Sequence, residues 1–393
     1  MNILFYRYGS ICEPDIIDVL KEYGIHVIEE SSEITRKSIS GEERISRIAE
    51  PLLKNDIHYV FSINFFPYIS DICEKLNKIY ICLSVDCPVL ELLSTSIRNQ
   101  CNRIFLFDYT QYLRFQSENP ERIFYLPLAT NVARWDRVIG QTSSNQQHRY
   151  CSDISFVGSL YNEKNILGQL SLSPYTQGFV NGLANAQISF CGEYLPEKVL
   201  TDEIISEIKA KVPAYPIVPS PCGDADRYII ANTILGMHIT EKERHNTLNT
   251  VARFFPVALY SRSDTASMDE NIICRGGVST LTEMPLVFRN SKINLNITMR
   301  PIQTGLSLRI WDVLGCGGFL LTNYQQELEE YFEIGTDLDC YYNLEDLIDK
   351  LDYYLVHDDV RAQIAINGYT KVKNMHTWQH RIAELLKIIV SNS

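Results

Sequence analysis

The chain has 393 residues, of which 45% are hydrophobic and 21% charged, with a formal net charge of −12. That length predicts two domains with ordinary globular cores, and the acidic balance argues against nucleic acid, whose phosphates need clustered Lys and Arg. No apolar run approaches the ~20 residues of a membrane span, and residues 1–10 read as a strand rather than a signal peptide, so a cytoplasmic location is expected.

In chain order, short segments rich in β-branched and aromatic residues alternate with amphipathic ones. Residues 2–7, 26–29, 58–64, 80–85, 103–107 and 123–128 predict strands. Between them lie segments of helical period, such as 41–55, where Ile45, Ile48, Leu52 and Leu53 share a face. This βα alternation predicts a parallel sheet with helices on both faces. The polar run 140–148 has linker composition, which predicts a first domain over 1–139, a linker over 140–150 and a second domain from 151 to 377. The second series opens with a strand at 153–158. Residues from about 162 to 252 read as a helical insertion, broken by the proline-rich piece 213–221. Strands return at 255–260, 292–297 and 318–322, and helices fill the rest, the last over 378–393. The eleven cysteines contain no C-x-x-C pair and most sit in apolar runs, which predicts reduced, structural thiols.

In open parallel sheets ligands bind beyond the carboxyl ends of strands, so the strand-end loops are the informative positions. In the first half these include Asp86 and Asp108. In the second they include Gly158-Ser159-Leu160-Tyr161, Ser261-Arg262, Arg275-Gly276-Gly277-Val278 and Thr298-Met-Arg300. The richest window runs from Asn294 to Thr322. A strand ends near Thr298, a turn contains Gly305 and Leu306, and a helix begins near Ser307. Backbone N–H groups at such a helix start suit a diphosphate. Ser307 is the expected N-cap, Arg309 a cation close to that end, and Asp312, one turn on, an acceptor for ribose hydroxyls. Plainer readings stand beside these: Arg309 and Asp312 as an i,i+3 ion pair, and Gly315-Cys-Gly-Gly318 as a helix stop that permits close strand packing. Neither a Walker A loop nor the dinucleotide glycine fingerprint is present, so NAD binding is not expected.

The run 292–322, with Arg309-Ile-Trp-Asp312-Val-Leu-Gly-Cys-Gly-Gly-Phe-Leu-Leu-Thr322, resembles the donor domain of the CgeB-like (spore maturation protein) glycosyltransferases. Tyr353-Tyr-Leu, Arg361-x-x-Ile-Ala-x-x-Gly368 and His376-Thr377 fit the same pattern. Ser62-Ile-Asn-Phe-Phe-Pro67, Val85-Asp86-Cys-Pro88, Ile104-Phe-Leu-Phe-Asp108 and Tyr125-Leu-Pro-Leu-Ala129 resemble the DUF3880 domain that often precedes it. The resemblance implies a GT-B fold: two facing Rossmann-like domains with parallel sheets, a helical insertion in the second, and a C-terminal helix crossing back to the first. It implies a nucleoside-diphosphate sugar, with a UDP-sugar as the expected donor, held by the second domain. Gly158, Ser159, Tyr161, Gly277, Val278, Arg300, Gly305, Leu306, Ser307, Arg309 and Asp312 are the expected binding residues. Gly277 and Val278 would face the base, and Arg275 and Arg300 are further diphosphate candidates. Many related retaining enzymes carry two glutamates separated by seven residues. Asp312 stands at the second position and Thr304 at the first, which departs from the pattern and leaves the stereochemical outcome open.

Transfer needs charge stabilisation on the departing nucleotide and, for inversion, a base for the acceptor hydroxyl. The histidines are scattered and no metal-ligand cluster is legible, so no metal is expected, and the helix start and Arg309 are left to carry the leaving-group charge. Asp86 is the candidate base, with a helix-capping role as its alternative. The acceptor, whether saccharide, protein or small molecule, is not read from the sequence. Two other readings stay open: a GT-B-fold epimerase or phosphorylase, and an inactive sugar- or protein-binding module, which Thr304 keeps in play.

Overall fold

The computed structural model describes every residue except 37, 217–222 and 392–393, so Cys222, the later part of the proline-rich piece and the end of the last helix lie outside the described residues. The chain divides into two compact units, one holding Met1–Leu128 and the segment from Trp378 onward, the other Ala129–Pro216 and Asp226–Thr377.

The first unit is built on six parallel strands: β1 (Asn2–Tyr6), β2 (His26–Glu30), β3 (Tyr59–Ile63), β4 (Ile79–Leu83), β5 (Asn102–Leu106) and β6 (Ile123–Tyr125). Their order is β2-β1-β3-β4-β5-β6. Strands covered on both faces must be apolar at consecutive positions, and Val60, Phe61, Ile81, Cys82, Ile104 and Phe105 are all fully buried. Phe5 and Phe61 stack across the β1–β3 pair with ring centroids 5.0 Å apart. The helix Gly41–Lys54 starts where Ser40 accepts the Glu43 N–H at 3.1 Å. It buries Ile48 and Leu52, but Ile45 and Leu53 are 47% and 70% exposed, so the apolar stripe is narrower than the period implies. The terminal helix Trp378–Ser391 belongs to this unit and packs on the helix Glu13–Glu22. Arg381 Nε donates to the carbonyls of Pro127 (3.1 Å) and Leu128 (3.3 Å), fastening the helix to the end of the sheet.

The polar run expected to be a linker is largely helical, as Val132–Gln141 and Ser144–His148. Ser143 and Gln146 form a capping box, a start signal that composition alone conceals. Both helices pack against the helix Met284–Asn290 of the second unit.

The second unit carries β7 (Ser152–Val157), β8 (Val257–Tyr260), β9 (Ile272–Cys274), β10 (Ser291–Asn296), β11 (Leu320–Asn323) and β12 (Asp339–Tyr341). All are parallel, in the order β12-β11-β10-β7-β8-β9. The insertion between β7 and β8 has a core of its own, with Val180, Ala184, Ile204, Ile208, Ile230 and Ile239 buried together. Its helices Ala225–Ile229 and Gly236–Ala252 are joined by a π-helical stretch, Ile230–Leu235. There the Ala231 carbonyl accepts the Gly236 N–H, five residues on, and also the Tyr194 hydroxyl at 2.6 Å.

Each sheet has one point where strand order reverses, between β1 and β3 in the first unit and between β7 and β10 in the second. Such points, at the carboxyl ends, are where open sheets bind ligands.

Candidate functional site

A hollow of about 390 Å³ opens at the carboxyl end of the second sheet, within the range of small-molecule sites. Three loops and a helix line it: Val157, Gly158, Ser159 and Glu163 at and after the end of β7; Tyr260, Ser261, Arg262 and Ser263 at and after the end of β8; Gly277, Val278 and Thr280 after β9; and Arg309 from the helix Leu308–Gly315 that follows β10. The structure thus brings Gly158, Ser159, Gly277, Val278 and Arg309 together from three separate stretches of sequence.

The first loop is held from beneath by Arg244, which is 8% exposed. Its Nη2 donates to the Ile297 carbonyl at 2.6 Å and its Nη1 to the Ser159 carbonyl at 2.5 Å, so one guanidinium ties the loop after β7 to the end of β10 across the switch point. The Tyr161 ring covers Arg244, with the guanidinium carbon 4.7 Å from the ring centroid. Tyr161 has a φ of 71°, and its hydroxyl reaches Met299 Sδ at 3.3 Å. Its place is therefore under the loop, as support. Glu163 accepts the Ser159 hydroxyl at 2.5 Å and the Ser263 hydroxyl at 2.9 Å, and Ser263 Oγ in turn accepts the Leu160 N–H at 2.8 Å. Burial pushes the Glu163 carboxyl upward, but the bonds from Ser159, its own backbone and Ser263 outweigh this and hold it below the ordinary carboxylate range.

Two guanidinium groups face the hollow. Arg309 is 25% exposed, lies 5.2 Å from the Phe288 ring centroid and 3.8 Å from Asp312 Oδ2, and abuts Met284 Sδ. Burial pulls its proton affinity below the usual value, and the Asp312 carboxylate works against that. Arg262 is the second, an exposed side chain laid over Gly277. A Cβ at position 277 would stand 2.7 Å from Arg262 Nε, so the absence of a side chain there is what lets the arginine lie flat. Sequence reading noted Ser261-Arg262 only as a strand-end loop and did not select Arg262. The signal was its place immediately beyond β8.

Other expected contacts sit elsewhere. Arg300 is 11% exposed and paired with Glu243, Nε to Oε2 at 2.7 Å and Nη2 to Oε1 at 2.5 Å, while Nη1 donates to the Phe190 carbonyl at 3.0 Å. The guanidinium thus binds the loop after β10 to the insertion rather than facing the hollow. Asp312 is 3% exposed and accepts the Thr130 hydroxyl at 2.7 Å, so its carboxylate lies behind Arg309 and does not line the hollow. Gly305 and Leu306 are buried, with Gln325 Nε2 donating to the Gly305 carbonyl at 3.4 Å. Ser307 occupies the N-cap position, with φ −62° and ψ 152°, but its hydroxyl makes no capping bond. Gly317, with φ 70°, ends the same helix, and the Gly318 N–H returns to the Val313 carbonyl at 3.0 Å. A Cβ on Gly318 would fall 2.5 Å from the Phe288 carbonyl oxygen, which accounts for that glycine by close packing.

Asp86 follows β4 in the first unit. Its exposed carboxylate accepts from Asn64 Nδ2 at 2.7 Å. Asp108 does cap a helix, accepting the Gln111 N–H at 2.7 Å. Asp-x-Asp, which the sequence reading took to be absent, occurs at 224–226 and 337–339, where it is taken up in packing: Asp226 pairs with Lys209 at 2.6 Å, Asp337 with Lys371 at 2.7 Å, and Asp339 accepts from Tyr354 at 2.8 Å. Among the described residues no three His, Cys, Asp or Glu side chains converge as a metal-binding group, and no helix is long and apolar enough to cross a membrane. The ten described cysteines are free thiols.

Two six-stranded parallel sheets flanked by helices, with a carboxyl-end hollow at the second switch point, define the GT-B glycosyltransferase fold. Residues 244–387 match the family described as Glycosyl transferase-like. No curated protein matches the chain. Among solved structures, a glycosyltransferase from Rickettsia africae ESF-5 is similar over 100% of this chain and 98% of its own, at 12% identity and a TM-score of 0.51. HepE from Anabaena, in complex with UDP-glucose, is similar over 100% of both chains at 10% identity and a TM-score of 0.53. Sucrose-phosphate synthase from Thermosynechococcus elongatus is similar over 100% of both at 11% identity and a TM-score of 0.50. At such identities the likeness is one of fold.

Proposed function

We propose that the chain is a cytoplasmic glycosyltransferase that moves a sugar from a nucleoside-diphosphate sugar to a saccharide, protein or small-molecule acceptor, without a metal ion. The observation that carries this reading is the hollow at the β7–β10 switch point, where Arg262 and Arg309 face a ring of serines and glycines. The diphosphate lies against the two guanidinium groups and the start of the helix Leu308–Gly315, and Gly277 and Val278 face the base. A UDP-sugar is the working choice of donor, following the Anabaena HepE complexes with UDP and glucose and with UDP-glucose. The resemblance to CgeB-like enzymes and the DUF3880 domain supports an acceptor of the spore or bacterial surface.

The acceptor oxygen attacks the anomeric carbon, the bond from that carbon to the diphosphate oxygen breaks, and the electron pair leaves on the nucleoside diphosphate. Arg262 and Arg309 take up the charge that develops there. Where configuration inverts, Asp86 receives the acceptor proton. Where it is retained, the departing phosphate receives it and Asp86 orients the hydroxyl. Asp312, buried behind Arg309, positions that guanidinium instead of meeting the ribose.

The test is a thermal-shift series with UDP, GDP, dTDP and CMP, with and without EDTA. A ligand that binds only the folded state raises its apparent stability. A rise with one nucleotide family, unchanged by EDTA and lost in Arg309→Ala, is expected. No rise with any nucleotide overturns the donor-site reading, and a rise abolished by EDTA overturns metal independence.

A further inference from the structure

The first sheet also has a switch point, and side chains of distinctive chemistry meet there. Asn64 directly follows β3 with a φ of 57°, a left-handed conformation that Asn tolerates better than most side chains. Its amide is fully used. Nδ2 donates to the Tyr8 hydroxyl at 2.9 Å and to Asp86 Oδ2 at 2.7 Å, while Oδ1 accepts the Val85 N–H at 3.0 Å and the Asp86 N–H at 3.3 Å. An amide offers two protons and two lone pairs, so this one side chain fixes the loop after β4 and aims two groups on different strands.

Because the Tyr8 oxygen accepts from Asn64, its own proton is left to donate outward. Burial and the neighbouring Asp86 charge push the phenol well above its ordinary value, so it keeps that proton. Asp86 uses Oδ2 on Asn64, and its other oxygen meets no donor among the described residues. Beside this pair stands Phe66, half-buried, edge-on to Tyr8 at 5.5 Å and to Tyr6 at 5.1 Å between centroids. A hydrogen-bond donor, a carboxylate acceptor and a flanking aromatic ring match a sugar ring, which offers hydroxyls at its rim and C–H groups on its face.

We propose that Tyr8, Asn64, Asp86 and Phe66 form a saccharide site for the acceptor, with Asn64 as its positioning residue: an acceptor hydroxyl donates to Asp86 Oδ1 and accepts from Tyr8 Oη. This rests on the glycosyltransferase reading and narrows its acceptor to a carbohydrate.

The experiment is saturation-transfer NMR on the full chain with methyl α-D-glucopyranoside, methyl β-D-galactopyranoside and methyl α-D-mannopyranoside as probes, alongside a UDP thermal shift. At least one glycoside binds the parent protein. Tyr8→Phe weakens that binding about tenfold, the worth of one hydrogen bond. Asn64→Gly, which keeps the left-handed backbone and deletes the side chain, weakens it further and lowers the melting temperature through the bonds it removes, while neither variant changes the UDP shift. Absence of binding by all three glycosides, or binding unaltered in Tyr8→Phe, overturns the saccharide site. Glycoside binding unaltered in folded Asn64→Gly overturns the positioning role. Absence of the UDP shift in the parent protein strikes instead at the donor reading, so the two failures are told apart.

Discussion

Thr130 donates its hydroxyl to Asp312 at 2.7 Å across 182 positions of sequence, and its own oxygen receives the Trp135 indole N–H at 2.6 Å. All three side chains are buried. The carboxylate behind Arg309 is therefore held by a residue from the opening segment of the second unit. Thr130→Val removes both bonds while keeping the shape, and it should destabilise the protein by about 1–3 kcal/mol as the indole N–H loses its acceptor. Thr130→Ser should recover most of that in a urea titration. A valine variant as stable as the parent would show that the bond contributes nothing.

Arg262→Ala should lower UDP affinity about tenfold or more by calorimetry, since bonds from a charged donor are worth about 1.5–3 kcal/mol. The melting temperature should hardly move, because the side chain is exposed. Gly277→Ala should act in the same direction by lifting the arginine away. Unchanged affinity in both variants would remove Arg262 from the donor site.

Arg300→Ala should do the reverse. Removing one partner of a buried pair leaves Glu243 uncompensated, which costs about 3–5 kcal/mol, while UDP affinity of the folded protein stays near that of the parent. A stable variant with collapsed UDP affinity would restore Arg300 to the diphosphate, where the sequence reading put it.

Burial pushes the Cys82 and Cys316 thiols well above the usual thiol range, whereas Cys151 and Cys274 are exposed. Alkylation with iodoacetamide at pH 8, followed by mass spectrometry, should label Cys151 and Cys274 within minutes and leave Cys82 and Cys316 unlabelled until urea is added. Early labelling of Cys316 would show that the helix end opens readily.

Strand-like apolar runs exposed the alternation of both sheets in the sequence, because buried parallel strands of five or six residues cannot hide their composition. β9 was marked only by the glycine loop after it and β12 went unread, as an edge strand of three residues such as Asp339–Tyr341 shows little pattern. The run 140–148 misled because Ser, Asn and Gln signal a linker by frequency but a helix start by spacing. At the site, backbone-defined positions such as Gly158 and Gly277 were legible from strand ends. Charged side chains were not: Arg262 and Arg300 look alike in sequence, and only the presence of Glu243 beside one of them separates a solvent-facing cation from a buried tie.

Arg244 comes from the helix of the insertion, yet its guanidinium joins the Ser159 and Ile297 carbonyls where the second sheet reverses. The segment least like a Rossmann module therefore supplies the bolt for the part most like one. The insertion cannot be trimmed as an ornament: a shortened chain would need a new cation under Ser159. In a family of such sequences, position 244 should be inherited together with the helical block that carries it, arginine where the block is present and a different fastening where it is not.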